Sequence, residues 1–571
     1  MVESYPTFRL TIDEGLIESD TNREKLFGYC IESNKGPVLE PTFVASNEEA
    51  MRIFGVDFAP HFYQKPTGLV ITRVKLPNMK KESKVFKATG GTYDETNTDV
   101  LMKVESVDYG TAPIKVSLNN TFNVNGKYNL TVSVDGIIAR TYQGVPSIES
   151  VCKRINDKFA EYMKATFVRE LKDSESLVLD GSQDKAAYLS GGSNGCLYKS
   201  KLTGTEKTLE DYLLKIGGDG TEANPGQYVS ADTVDTAKQT ISGKISSIDV
   251  DKIVATLPVD KQAAAKTEIE SAIRYTAMSV YKEAFKKMQE VDILGIATLS
   301  NLDVVRNELI DHVNYMNDPE VNRLRFGITA FLDYDDVTKR EISNIVDPAI
   351  AINNEYILYV GQGILFEEEG IRKQIPPHEA VQFYTGMRSA LGYSEAIFGG
   401  EAKKKIIGAV DVLPLINDGE TLVKEDIETL NEGGVMTFKK EYGDVTFLEG
   451  VTTAQESDVL SHESIMSIVL NVSKRLISIS KVYQGQKLNE DLKASLTTAL
   501  SNELKNITET DKSLISITEY NIPPYDVSVK SAAMVKFNDA GELIRESKVI
   551  IQCKIVPVGA LRDIDLGIIV I

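Results

Sequence analysis

The sequence predicts an α/β multidomain fold: a central α/β domain with a mainly parallel sheet, an inserted β-rich domain, and a C-terminal α+β domain. Three observations predict it. Strand-like and helix-like segments alternate between residues 291 and 365, and the stretch 81–175 reads almost wholly as strands. A chain of 571 residues also exceeds what one compact core accommodates. Extended arms at the two ends complete the expected plan.

The first segment, "PTFRLTIDEG", places Phe8, Leu10 and Ile12 on one face and Thr7, Arg9 and Thr11 on the other. That is a period-two strand ended by Gly15, expected as an arm over 1–22. Residues 23–80 form the first part of the central domain. They hold a strand, a turn at Gly36-Pro37, a second extended piece and a short helix. Ser46 is that helix's expected N-cap, Glu48 and Glu49 lie in its first turn, and Gly55 ends it. "GLVITRVKL" follows as a buried strand.

The inserted domain covers 81–175. "DVLMKVESVDYG", "APIKVSLNN" and "KYNLTVSVDGIIARTYQG" read as strands, with a hairpin turn at Val134-Asp135-Gly136. One helix, "SIESVCKRINDKFAEYM", closes it. The central domain then resumes over 176–420, interrupted at 203–262 by a Gly-, Asp-, Thr- and Ser-rich stretch that reads as a long loop.

Beyond the loop, "VDILGIATL", "RLRFGITAFL" and "EYILYVGQGI" read as strands separated by the helices "LDVVRNELIDHVNYM" and "DDVTKREISNIV". Val305, Leu309, Val313 and Met316 share one face of the first helix. This order implies right-handed crossovers and a largely parallel sheet. From 421 to 560 come a helix, two strands, two helices at about 463–482 and 489–507, and two long strands, an α+β domain of ordinary size. The segment 561–571 is a second arm, with Ile564, Leu566, Ile568 and Val570 on one apolar face.

Composition excludes some functions. The net charge of −20 argues against a nucleic-acid surface and against docking on anionic lipid. Cys30, Cys152, Cys196 and Cys553 lie far apart, which reads as reduced thiols rather than a disulfide frame or zinc site. No basic and apolar leader opens the chain, and no apolar run approaches the ~20 residues of a membrane span. A soluble protein made in the cytoplasm is expected.

No catalytic set assembles. His61, His312, His378 and His462 each lack a second ligand at metal spacing, and His312, at the edge of an apolar helix stripe, reads as structural. "LSGGSNG" lacks the Lys-Ser/Thr of a phosphate loop. "YVGQGILF" gives Gly361-x-Gly363, but Phe366 stands where a third glycine belongs, so turn glycines are the better reading. Asp333, Asp335 and Asp336, and Glu367 to Glu369, miss the calcium-loop spacing and read as solvated faces. No cofactor or metal is expected.

The ends carry more. In "KVIIQCKIV", Val549, Ile551, Cys553 and Ile555 share a face, before Pro557 and Gly559 break the ladder. Two readings stand. One is a C-terminal hairpin turning through "PVGAL" onto its own domain. The other is β-augmentation, in which a strand of about nine residues reaches ~30 Å into a neighbouring molecule.

Several stretches resemble the contractile tail sheath protein of myophages. "GYCIESNKGPVLEPTFVASNEEAMRIFG" resembles that family's opening, and "YLSGGSNG" the glycine motif before its central domain. "VKEDIETLNEGGVMTF" with "EGVTT" resembles its C-terminal entry, and "KVYQGQKLNEDLKASLTTALSNELKNI" its aromatic-x-Gly segment and following helix.

The resemblance implies a structural subunit, not an enzyme. Such subunits stack as hexameric rings around a tail tube and contract to drive it through the host envelope. It implies partners in self, tail tube, baseplate and tail terminator, and a place in the virion tail after assembly in host cytoplasm. It casts Phe8, Leu10 and Ile12, and Ile564, Leu566, Ile568 and Val570, as inter-subunit arm strands. Val549, Ile551, Cys553 and Ile555 become receiving-strand candidates, and Lys493 and Lys505 tube contacts. The rivals are a sheath of a tailocin or bacterial injection system, and a cytosolic α/β enzyme using the 291–365 unit.

Overall fold

The computed structural model describes residues 7–11, 25–178, 193–194 and 250–558. Within those spans it leaves out 34, 77–78, 94–97, 110–113, 121–127, 135–137, 161, 173, 256–258, 319–320, 335, 337–338, 392, 394, 398–403, 418–419, 422–423, 442, 456–459, 484–485, 487–488, 517–520 and 538–542.

The central sheet has seven strands in the order Val435–Met436, Ile357–Val360, Phe326–Ala330, Gly295–Thr298, Phe27–Ile31, Leu69–Arg73 and Thr42–Val44. All neighbours run parallel except Thr42–Val44, which lies antiparallel at the edge. The strands are apolar along both faces because both faces are covered. Helices Val259–Met288 and Asp303–Asn317 meet Cys30, Val70 and Ile296 on one side. Helices Pro377–Ala390 and Glu463–Lys481 meet Phe27, Tyr29 and Ile328 on the other. Strand order diverges at Phe27–Ile31: Leu69–Arg73 adds on one side, and Gly295–Thr298 and its successors on the other.

Local chemistry sets several boundaries as expected. Ser46 Oγ accepts from the Glu49 N–H at 3.2 Å, and the Glu49 carboxylate reaches back to the Ala45 N–H at 2.9 Å. Val305, Leu309, Val313 and Met316 are all buried on Asp303–Asn317. The Gly361 and Gly363 reading also finds a packing cause. A Cβ on Gly361 would lie 2.3 Å from Val435 Cγ1, and one on Gly363 would lie 2.4 Å from the Ile375 carbonyl oxygen.

The structure departs from the sequence reading in several places. Of the expected loop at 203–262, residues 203–249 lie outside the described residues, and 250–262 instead hold helix Val250–Val254 and the start of Val259–Met288, which runs for 30 residues. Among the described residues its buried apolar side chains run from Ile273 to Met288. The helix closing the inserted domain ends at Lys158, and Met163–Phe167 is a strand antiparallel to 102–106. Phe159 and Met163 keep helical spacing and are both buried, which is why the sequence extends the helix too far.

Strand Val435–Met436, read with the C-terminal domain, is instead the edge strand of the central sheet beside Tyr359–Val360. The short helix Ala59–Phe62 has no counterpart in the sequence reading.

The inserted unit has its own core, including Phe86, Leu101, Val104, Val132, Ile148 and Val151. It comprises a three-stranded sheet over 114–145, the sheet around Met79–Thr89, and helix Ile148–Lys158. The C-terminal unit does not stand apart in this way. One continuous core runs from Tyr29 through Met466 and Leu500 to Ile551.

Candidate functional site

The C-terminal unit ends in a three-stranded antiparallel sheet. Strands Tyr525–Phe537 and Leu543–Ile555 form a long hairpin, in register from Tyr525 opposite Ile555 to Phe537 opposite Leu543. The third strand is Thr7–Thr11, paired to the other edge of Leu543–Ile555. Phe8 lies opposite Cys553 and Leu10 opposite Ile551. The two ends of the sequence therefore meet in one sheet, with Leu543–Ile555 at its centre.

The alternation in "KVIIQCKIV" explains why this strand is held. Ile551, Cys553 and Ile555 are fully buried and Val549 is half-buried against the same core. Burial, with a smaller contribution from Asp526, pushes the Cys553 thiol up to about 12. Helix Glu490–Asn506 packs beneath the hairpin through Leu496, Leu500 and Leu504, spaced one turn apart. Asn489 caps it, its Oδ1 accepting from the Leu492 N–H at 2.8 Å. Arg475 ties this helix to Glu463–Lys481 by reaching both Glu503 and Asp511.

Of the residues singled out in the sequence, Phe8 and Leu10 lie on Thr7–Thr11, and the four receiving candidates lie on Leu543–Ile555, where Cys553 and Ile551 stand opposite them and Val549 and Ile555 fall outside the paired register. Ile12, Ile564, Leu566, Ile568 and Val570 lie outside the described residues, as do Cys196, Asp335 and the glycines of "LSGGSNG". Lys493 and Lys505 both sit on Glu490–Asn506. Each is ion-paired within one turn, Lys493 to Glu490 at 2.5 Å and Lys505 to Glu509 at 3.8 Å.

The other chemistry is packed away. Cys30, Cys152 and Cys553 are buried free thiols. His61 and His312 are buried, and burial pushes both imidazoles down to about 3. His312 Nε2 accepts from Arg325 at 3.3 Å, fitting its structural reading. Glu367 and Glu368 pair with Arg372 and Lys373 across a hairpin. Among the described residues no group of acidic, His or Cys side chains could hold a metal ion, and no helix is long and apolar enough to cross a membrane.

Sequence reasoning missed the ion pair between Arg388 and Glu463, the Arg475 link and a cleft at the strand ends of the central sheet. Each unites residues far apart in the chain, so no local pattern announces it.

The distinctive feature is thus a sheet whose third strand comes from the far end of the chain, attached to a doubly covered α/β core. Solved structures superpose on the chain as a whole. A sheath tail protein from Desulfitobacterium hafniense superposes with a TM-score of 0.51 and 10% identity, covering 94% of this chain and 99% of that one. A sheath tail protein from Listeria innocua gives a TM-score of 0.52 and 11% identity, covering 92% of this chain and 95% of that one. No protein-family model matches the chain, and no curated protein does. The chain has the tail-sheath fold over nearly its whole length.

Proposed function

We propose that this chain is the repeating subunit of a contractile tail sheath. Copies polymerise as hexameric rings around a tail tube, and the lattice contracts to drive the tube through a host envelope. Baseplate and tail terminator proteins bound the assembly at its ends. It works in the virion tail after assembly in host cytoplasm, without catalysis, nucleic-acid contact or membrane insertion of its own.

The observation that carries this reading is the pairing of Thr7–Thr11 with Leu543–Ile555, set in a sheath fold. Residues 12–26 link that strand to the central sheet, and 15 residues span at most about 50 Å when extended. The strand can therefore reach the same edge on a neighbouring copy. Exchange of an identical element preserves its ladder hydrogen bonds and buried contacts, so swapping costs little. The second arm, with Ile564, Leu566, Ile568 and Val570, adds to a neighbour's sheet in the same way. Lys493 and Lys505 face the tube.

Strand exchange suits contraction. Subunits rotate nearly as rigid bodies while the connecting segments keep the mesh joined. Two lattice packings that differ slightly per copy then sum to a large driving force.

Electron microscopy of the purified protein tests the assembly. Tubes or contracted polysheath are expected; discrete small particles would favour the α/β enzyme reading. A chain lacking residues 1–22 should stay folded and fail to form tubes.

A further inference from the structure

Lys474, Ile477, Ser478 and Lys481 follow one another at helical spacing, so they share one face of helix Glu463–Lys481. That face and residues 322–325, which lead into strand Phe326–Ala330, border a pocket of about 80 Å³. Its third side is Glu290, Val291 and Asp292, between helix Val259–Met288 and strand Gly295–Thr298. A space of this size holds on the order of five water molecules. It suits a small ion and lies well below the volume of drug-sized ligands.

The lining carries Arg323, Arg325, Lys474 and Lys481 against Glu290 and Asp292. Several of these charges are committed elsewhere. Lys474 pairs with Asp292 at 3.3 Å and donates to the Ile293 carbonyl at 2.7 Å. Arg325 is 1% exposed, and it donates to the Met288 and Val291 carbonyls at 3.0 and 3.1 Å, capping the end of its neighbouring helix. Glu290 is exposed at the rim, and the charges that act on Lys481 are those of Arg323 and Asp292.

Two cations remain. Arg323 spends Nη1 on the Gln289 carbonyl, which leaves Nε and Nη2 on the other edge of the guanidinium. Lys481 is half-buried and makes no ion pair or side-chain hydrogen bond among the described residues. Lys481 Nζ and these two Arg323 nitrogens are not among the buried atoms that lack a partner, so all three donors keep access to solvent. Burial first, and then Arg323, lowers the pKa of the Lys481 ammonium, with Asp292 opposing. Burial also holds the Arg325 guanidinium down to about 9, where Asp292 supports its charge and Arg323 opposes it. The pocket gathers like charges that its own carboxylates do not neutralise.

The arrangement is set before any ligand arrives. Asn322 takes a φ of +51°, and the Arg323 N–H bonds the Met316 carbonyl at 3.0 Å. Asn317 holds both the N–H and the carbonyl of Arg325, at 2.8 and 3.0 Å. Backbone held in this way has little ordering entropy left to lose on binding.

We propose that this pocket binds one small oxyanion, a phosphate or a carboxylate, between Arg323 and Lys481. Nε and Nη2 present the paired donors that match two oxygens of such a group, and the ammonium adds a point charge. Val291, Leu324 and Ile477 line the same space, and their low dielectric strengthens both contacts. The site belongs to the folded subunit and does not rest on the sheath reading.

Competitive acetylation of the full-length chain tests this, with sodium phosphate and sodium acetate as probes. The pH is fixed, and chloride keeps the ionic strength constant. Trace acetic anhydride labels each lysine according to its free-amine fraction, and mass spectrometry reads Lys481 relative to exposed Lys65. An oxyanion beside Lys481 stabilises the ammonium, so its labelling should fall saturably, by about threefold, with at least one probe. Arg323→Gln leaves Lys481 in place and should raise the half-protecting concentration by about tenfold. Ser478→Glu, at an exposed position one turn from Lys481, brings a tethered carboxylate to the pocket and should abolish the response. It serves should Arg323→Gln fail to fold. A ratio indifferent to both probes overturns the proposal. So does a response left unchanged in whichever variant folds.

Protein concentration separates two sources of the oxyanion. Full labelling of Lys481 at every concentration without added probe assigns the pocket to a free anion. Labelling that falls as the chain is concentrated, with a carbodiimide-formed amide from Lys481 to a second copy, assigns it to an aspartate or glutamate of that copy. Either result supports the oxyanion site.

Discussion

Arg388 and Glu463 form a fully buried ion pair, with Nη2 2.5 Å from Oε2 and neither side chain exposed. Tyr384 donates to the other carboxylate oxygen at 2.8 Å, and Arg388 Nη1 donates to the Glu395 carbonyl at 2.8 Å. Glu463 opens its helix, where the N-terminal dipole favours a carboxylate. The pair therefore pins the helix of the central unit to the first helix of the C-terminal pair. Glu463→Leu strands a buried guanidinium and should cost about 3–5 kcal/mol. Arg388→Met together with Glu463→Leu should recover most of that loss. Urea unfolding of single and double variants checks it; equal midpoints would mean the pair has no coupling.

Acid should destabilise the fold through its buried histidines. Burial holds His61 and His312 near 3, with Arg325 a secondary cause at His312. An unfolded imidazole titrates near ~6.5. Both folded values are depressed, so the neutral rings contribute stability that is fully present above the unfolded value. It is lost as pH falls from there toward the folded values. Each ring should add a slope of about 1.4 kcal/mol per pH unit inside that window. Urea midpoints measured across the window should fall less steeply for His312→Gln by one ring's share. An unchanged slope would show that His312 titrates as an exposed imidazole.

Helix Pro377–Ala390 passes closely over the short helix Ala59–Phe62 at Gly386. A Cβ there would lie 2.3 Å from the His61 carbonyl oxygen, and backbone cannot step aside as a flexible side chain can. Gly386→Ala should cost about 2–3 kcal/mol through overpacking. Gly443→Ala is the contrast: φ is +90° and nothing lies within 4 Å of the new atom. It should cost only about 1 kcal/mol, through backbone strain. Thermal midpoints of the two variants should rank in that order.

The chain carries a net charge of −20, so on the proposed function close packing of copies sets like charges against each other. Tube formation should accelerate as ionic strength rises from ~0.01 M to ~0.15 M, which shortens the screening length from ~30 Å to ~8 Å. Light scattering during assembly measures this. Equal rates at the two salt concentrations would contradict it.

The sequence made legible what local chemistry decides. Ser46 and Glu49 announce a helix start, and the spacing of Val305, Leu309, Val313 and Met316 announces a buried face. The alternating strands of 291–365 gave the parallel order, because crossovers leave few topologies. What stayed hidden depends on distant pairing. Nothing near Val435 says that two residues complete a sheet begun at Phe27. Nothing near Thr7 names residues 550–554 as its partners. Helix Val259–Met288 was missed because its start falls within the stretch that reads as loop. The pocket beside Arg323 was missed because Arg323 and Lys481 become neighbours only after helix Glu463–Lys481 has packed on the sheet.

The central claim is that Thr7–Thr11 moves to a neighbouring copy on assembly, and the register supplies a direct measurement. Phe8 lies opposite Cys553 across the strand pair, close enough for a disulfide between facing positions. Phe8→Cys should be oxidised in the free subunit and, separately, in assembled tubes, with both run on non-reducing gels beside the unmodified chain. The account predicts a cross-link within one chain in the free subunit and a chain-to-chain ladder in the tubes. Tubes that form while the cross-link stays within one chain would contradict it.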